Sequence, residues 1–353
     1  MRVRQHALRG FAGSAVDLPA LEGVSAKIPM YLSRSARDRY VGHADADFTQ
    51  RASDYWKFLT GGTVLDMAHL YWHSDTKTVQ MHDARALEEA EGLSKRDFFH
   101  KHGFVLLDHK SAMTAEDWRA SAYAPLKAHD SAHKTAKAEF MDGETPVKQV
   151  YNMEIPDLLR TLLPSATEFI APVRGIQRGP GSAYEKMYAS VVHTDFPVQY
   201  DEFRDTNAWL GCDDHIEQFE ATAAAKGYFI INLWRPVLPM QGPVKSTPLA
   251  ILHPSTLDYH DLVTVDLIGG QFPEGQTYLH VRYQPRHKWF YYSDMATDEV
   301  LVWKQAHFVK GERRSRMPVP HAAFKHPHAA AETEPRCSFE HRVAVVCSTS
   351  DGL

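Results

Sequence analysis

The stretch "SVVHTDF" (190–196) runs two β-branched residues into His193, Thr194 and Asp195. On an extended strand, positions i and i+2 point to the same face. An imidazole and a carboxylate so placed, joined by a second histidine from elsewhere, make the two-histidine, one-carboxylate triad. That triad fills one face of an octahedral iron(II) and leaves three positions open. Taken alone, the tripeptide reads equally well as a polar strand edge. The pattern has two rivals, His43-Ala44-Asp45 and His215-Ile216-Glu217. His43 sits in a Gly/Ala/Asp stretch with no strand predicted around it. His215 falls in a run that reads as helix, where residues two apart diverge by roughly 200°.

A third ligand is expected on a late strand, and "PVPHAAF" offers His321. His287 in "QPRHKWFYY" is the runner-up, and His307 stands behind it. The next β-like segment is "PRCSFEHRVAVV" (335–346). Arg336, Ser338, Glu340 and Arg342 share one parity there, and Cys337, Phe339, His341, Val343 and Val345 share the other. The first face is polar and charged, the second mostly apolar. Charges pointing into a barrel are costly unless paired, and an arginine holding a carboxylate in a bidentate grip would pair them. Arg336 and Ser338 are therefore candidates for the distal carboxylate of 2-oxoglutarate. The plain alternatives are ion pairs, of Arg336 with Glu334 and of Arg342 with Glu340. The two arginines lie roughly 20 Å apart along an extended strand, too far to serve one carboxylate.

Positioning these groups needs a β framework. Beyond about residue 165 the chain breaks into short β-branched and aromatic runs: "GYFIINLWRPV", "STPLAILHPSTL", "DLVTVDLI", "DEVLVWKQAHF" and "SFEHRVAVV". Pro, Gly and Asp punctuate them. The expectation is a mainly β fold with flanking helices, a sandwich or jelly-roll barrel. Residues 1–145 are rich in helix formers. "SDYWKFL" and "SKRDFFHKHGFVLL" have helix-like starts. The run 113–140 opens with Thr114 and Asp117 in a capping-box arrangement and reads as helix, interrupted at Pro125. The division expected is a helix-rich region, 1–145, packed on a β core, 146–353, as one structural unit. A polar helical insertion, 199–227, directly follows the His-Thr-Asp tripeptide, where a lid belongs.

The 353 residues are 44% hydrophobic, enough for a large core, and carry a net charge of −5 with acids and bases interspersed. No basic stripe marks a nucleic-acid partner. No apolar run approaches the roughly 18–20 residues of a membrane span. Three cysteines without a CxxC pair fit a reducing compartment, and a cytoplasmic location is expected. The acid-free N-terminus "MRVRQHALRGFAGSA" reads as a docking arm, with a transit peptide as the alternative. Several of the 21 histidines, His326 and His328 among them, read as surface residues.

In order along the chain, "MHDAR", "HGFVLLDH", "APVRG", "VVHTDF", "INLWRPV", "PLAILHPSTL", "HKWFYYSDMATDEVLVWK", "PHAAF" and "PRCSFEHR" resemble the fungal and bacterial hydroxylase/desaturase family of non-haem iron oxygenases. The resemblance runs from about residue 80 to 346. It implies a double-stranded β-helix core, Fe(II), 2-oxoglutarate and O2, and work on secondary metabolites. It implies His193, Asp195 and His321 as metal ligands, with Arg336 and Ser338 on the cosubstrate. Two departures from the family are the long insertion and Cys337. The small-molecule substrate, an amino acid derivative being one class that fits, would meet Phe196, Asn232, Trp234 and Arg235. The outcome would be hydroxylation, desaturation or ring closure. Because the family includes a proposed helper protein, a non-catalytic partner subunit is the rival function, and a cupin-like metal enzyme needing no 2-oxoglutarate is a third. A homodimer is compatible with all three readings.

Overall fold

The computed structural model describes residues 18–32, 39–43, 74–122, 143–182, 188–189, 191–198, 227–269, 272–309, 312, 314–316, 318–330 and 332–348. The N-terminal arm, "SDYWKFL", His215 and nearly all of the 199–227 insertion lie outside these residues.

In chain order the strands are β1 (Gly23–Leu32), β2 (Arg39–His43), β3 (Ser74–Asp83), β4 (Phe104–Asp108), β5 (Ala166–Ile170), β6 (Ile176–Arg178), β7 (His193–Thr194) and β8 (Tyr228–Pro236). There follow β9 (Leu249–Leu252), β10 (Leu262–Gly269), β11 (Phe272–Val281), β12 (Trp289–Tyr291), β13 (Glu299–Phe308), β14 (His321–Ala323) and β15 (Ser338–Cys347). They form two sheets. The nine-stranded sheet runs β1-β3-β12-β9-β14-β7-β11-β10-β2, and the six-stranded sheet runs β4-β13-β8-β15-β5 with β6 added on β15. The pairings are antiparallel except β3 with β12 and β2 with β10. The fold is mainly β, as the sequence reading expects. β2 is a difference from that reading: His43 ends a strand, although its surroundings carry no strand signal, because β10 supplies the parallel partner.

The described part of 1–145 contributes four strands beside its helices. The helices are α1 (Ala84–Glu91), α2 (Lys95–His102) and α3 (Ala115–Ala120), followed by α4 (Asn152–Arg160). Asp83 and Ser94 cap α1 and α2, and Gly103 in the left-handed region ends α2 just before β4. Thr114 and Asp117 form the anticipated capping box of α3, which ends at Ala120; residues 123–140 of the expected helical run lie outside the described residues.

Alternation decides which side chains see the site. On β15 and β8, Phe339, Val343, Val345, Phe229, Ile231 and Leu233 join a core with Phe98, Phe99, Tyr151, Leu158 and Leu159 of the helical layer. The opposite faces of both strands point inward, toward the nine-stranded sheet. At one end of that interior Phe196, Tyr228, Ile230, Ala306, Phe308, Ala344 and Val346 form a closed apolar cluster. The charged parity of β15 is the inward one.

Candidate metal centre

β7 is two residues long, and both its neighbours fix it at the same point. His193 pairs with His280 of β11 on one side and with His321 of β14 on the other. Directly opposed residues on adjacent strands present their side chains to one face. The His193 and His321 rings accordingly lie 4.5 Å apart, centroid to centroid. Asp195 emerges on the same side. One ligand atom from each of His193, Asp195 and His321 lies within 4.8 Å of the other two.

The ring of His193 is oriented by its own backbone. Nδ1 donates to the Val191 carbonyl at 2.7 Å, which turns Nε2 toward Asp195, 3.5 Å from its Oδ1. His321 is buried and packs against the Trp303 ring. Burial first, and His193 second, push His321 down to about 3, so it is a neutral imidazole, the form that ligates a metal. Burial works to raise the Asp195 carboxyl. Arg342 and the two histidines outweigh it and hold the group well below the carboxylate range. Asp195 is thus an anion enclosed by donors: Arg342 on Oδ1 at 2.9 Å, and Asn232 Nδ2 and Gln305 Nε2 on Oδ2 at 3.0 and 2.6 Å.

Arg336 and Ser338 are also buried on the inward face. The guanidinium lies over the Tyr188 and Trp234 rings, and Nη1 donates to the Thr247 carbonyl at 2.6 Å. Glu334 binds the backbone of Gln241 and Gly242 instead of Arg336. Among the described residues Arg336 has no carboxylate within ion-pair distance, and its Nε and Ser338 Oγ have no hydrogen-bond partner. Burial lowers Arg336 to about 9, a cation still. A buried cation without a counter-anion, next to an unbonded hydroxyl, suits a carboxylate ligand. Arg342 makes the ion pair expected as its plain alternative, with Glu340 at 3.1 Å, and adds Asp195 at 2.9 Å.

The other candidates separate cleanly. Phe196 lies in the apolar cluster beyond Asp195, and Trp234 lies under Arg336. Asn232 is in the site, and its Nδ2 donates to Asp195 and Glu340. Arg235 is a correction: it faces the helical layer, opposite to Asn232. There it binds the His109 and Thr297 carbonyls and stacks over Trp118 and Tyr151. His287 is tied to Asp261, and His307 stacks on Phe229 of the outer face, so neither joins the triad. Two residues were missed. Gln305 touches both Asp195 and His321, and its signal was a polar Lys304-Gln305 pair following the apolar run "VLVW" of one strand. His280 is buried beside His193 and is lowered to about 3 by burial, with His193 contributing. Its signal was a lone histidine in the β-like run "YLHVRY".

A family profile described as an oxidoreductase/YMDC permease-like domain matches residues 59–346. The hydroxylase/desaturase efuI of Hormonema carpetanum is 28% identical over 232 residues, 57% of this chain and 72% of that protein. The hydroxylase/desaturase asaB of Aspergillus flavus is 30% identical over 144 residues, 37% of this chain and 61% of its own length. The fold is that of the iron and alpha-ketoglutarate-dependent endoperoxidase NvfI, with a TM-score of 0.59 at 18% identity, covering 93% of this chain and 99% of that one. No helix among the described residues is long and apolar enough to cross a membrane.

Proposed function

The chain belongs to the oxidoreductase/YMDC permease-like domain family, and on that premise we propose that it is an Fe(II)- and 2-oxoglutarate-dependent oxygenase of secondary metabolism that hydroxylates, desaturates or oxidatively cyclises a small molecule. The convergence of His193, Asp195 and His321 within 4.8 Å carries the reading. Two facing sheets with this cluster between them support a double-stranded β-helix core.

Two imidazoles and one carboxylate suit a divalent iron and leave half of an octahedral shell for other ligands. Bound there with 2-oxoglutarate and O2, the iron would supply the oxidising chemistry. The chain supplies the rest. Asp195 brings the single negative charge, kept ionised by Arg342. Arg336 and Ser338 offer the unpaired cation and the unbonded hydroxyl that fit the distal carboxylate of 2-oxoglutarate. Trp234 supports the guanidinium from below. Phe196 and its apolar neighbours exclude water from the far side of the ligand set. The intact ligand set also favours an enzyme over a non-catalytic partner subunit.

The test is anaerobic titration of the apoprotein with Fe(II) and then 2-oxoglutarate, following the visible charge-transfer band of the chelate. The wild type gives the band, His193→Ala abolishes it, and Arg336→Met shifts half-saturation to much higher 2-oxoglutarate. Absence of the band in folded wild-type protein at saturating Fe(II) and 2-oxoglutarate rejects the oxygenase.

A further inference from the structure

The ligands His193, Asp195 and His321 all come from the nine-stranded sheet or the loop leaving it, and β7, which carries the first, is only two residues long. So short a strand cannot by itself fix the carboxylate that follows it. The fixing groups come from the other sheet. On β13 the ladder to β8 shifts register, with Lys304 opposite Ile231 and Ala306 opposite Ile230, so Gln305 has no cross-strand partner. Such a bulge lets two residues oppose one and re-aims a side chain. Here it turns Gln305 across the interior. Its Nε2 donates to Asp195 Oδ2 at 2.6 Å and lies 3.3 Å from His321 Nδ1. Asn232 of β8 donates to the same oxygen at 3.0 Å. A carboxylate only accepts, so it fixes which end of each amide faces it. Both residues are buried, Asn232 at 0% and Gln305 at 1% exposure.

We infer that Gln305, with Asn232, is a positioning residue of the metal centre: the two amides saturate Asp195 Oδ2, leave Oδ1, which also meets Arg342, as the oxygen presented beside His193 Nε2, and tie the Asp195 and His321 ligands to β13 and β8 of the opposite sheet. The inference rests on the metal reading above. Its physical basis is orientation. A carboxylate whose Oδ2 is saturated by two amides presents Oδ1 to a metal as a pre-aimed donor, whereas an unanchored one must be ordered when the metal binds. Loss of groups that orient ligands costs metal affinity by about 10–100-fold.

The experiment titrates apoprotein with Co(II), an oxygen-stable probe whose d–d band reports coordination. Wild type is compared with Gln305→Met, which keeps chain length and loses the donor, and with Asn232→Ala, which removes the second donor should the first variant fold poorly. Circular dichroism and a thermal melt check the fold of each. The expected result is Co(II) affinity weakened by about 10–100-fold in Gln305→Met, with a changed d–d band because Asp195 Oδ2 is then held by Asn232 alone and the carboxylate can turn. Asn232→Ala should move the same two readouts in the same direction. Folded variants with wild-type affinity and a wild-type band overturn the inference while leaving the metal centre standing, since Gln305 and Asn232 would then be packing alone. Wild-type protein that binds no Co(II) rejects the metal reading itself, and this inference with it.

Discussion

Arg342 Nη2 lies 2.9 Å from Asp195 Oδ1 and 3.1 Å from Glu340 Oε1, so one guanidinium serves two carboxylates in the interior. In metal-free protein Arg342→Met leaves both anions without that cation. Breaking a buried pair from one side costs about 3–5 kcal/mol. A divalent cation restores positive charge at the same place. The denaturant midpoint of Arg342→Met should therefore fall well below wild type, and Co(II) should raise it by more than it raises the wild-type midpoint. An equal rise in both proteins would remove Arg342 as the charge that stands in for the metal.

Gly179 has φ +118, and a Cβ there would collide with the Arg336 carbonyl. Gly181 also has a positive φ, +77, but has open space around its Cβ position. Backbone strain of this kind costs about 1–3 kcal/mol. Gly181→Ala should show that cost alone. Gly179→Ala should show it together with a displaced Arg336, read as weaker 2-oxoglutarate binding in the anaerobic titration. Equal 2-oxoglutarate affinity in the two variants would mean that Gly179 does not set the Arg336 backbone.

Arg235 is a structural cation of the outer face, bound to two carbonyls and two aromatic rings. Charge-assisted hydrogen bonds contribute about 1.5–3 kcal/mol each. Arg235→Met should lower stability by a few kcal/mol, measured by urea denaturation, while the Fe(II)/2-oxoglutarate band keeps its wild-type half-saturation. A weakened band in a protein of normal stability would return Arg235 to the site.

Burial pushes His253, His280, His321 and His341 down to about 3 and His307 to about 2. Unfolded, these groups titrate near 6.5, so the unfolded chain binds more protons from about pH 6.5 down to about pH 3. Stability is complete above that window and is lost as pH falls through it, by at most about 1.4 kcal/mol per unit for each histidine. Asp195, held below its usual range, adds stability that is likewise lost on acidification. Urea midpoints of the metal-free protein should drop between about pH 7 and about pH 5.5. A flat midpoint across that interval would mean that these imidazoles are hydrated in the folded state.

The sequence by itself determined the β texture of the C-terminal part, the capping box at Thr114 and Asp117, the His-x-Asp pair, and the inward polar parity of "RCSFEHR". These are local properties: side-chain period, turn chemistry and residue type at fixed offsets. It also singled out His321 and Arg336, because each follows or precedes a strand-like run at a readable place. Tertiary structure alone decided the partners. Which face of β8 looks inward depends on its register with β13 and β15, and that register put Asn232 in the site and Arg235 out of it. The bulge that frees Gln305 is a mismatch between two strands and is written in neither of them. β2 exists because β10 lies beside it. The meeting of His193 with His321 is a pairing across β7 and β14, fixed by sheet order, which no local pattern encodes because strand pairing is a relation between distant segments.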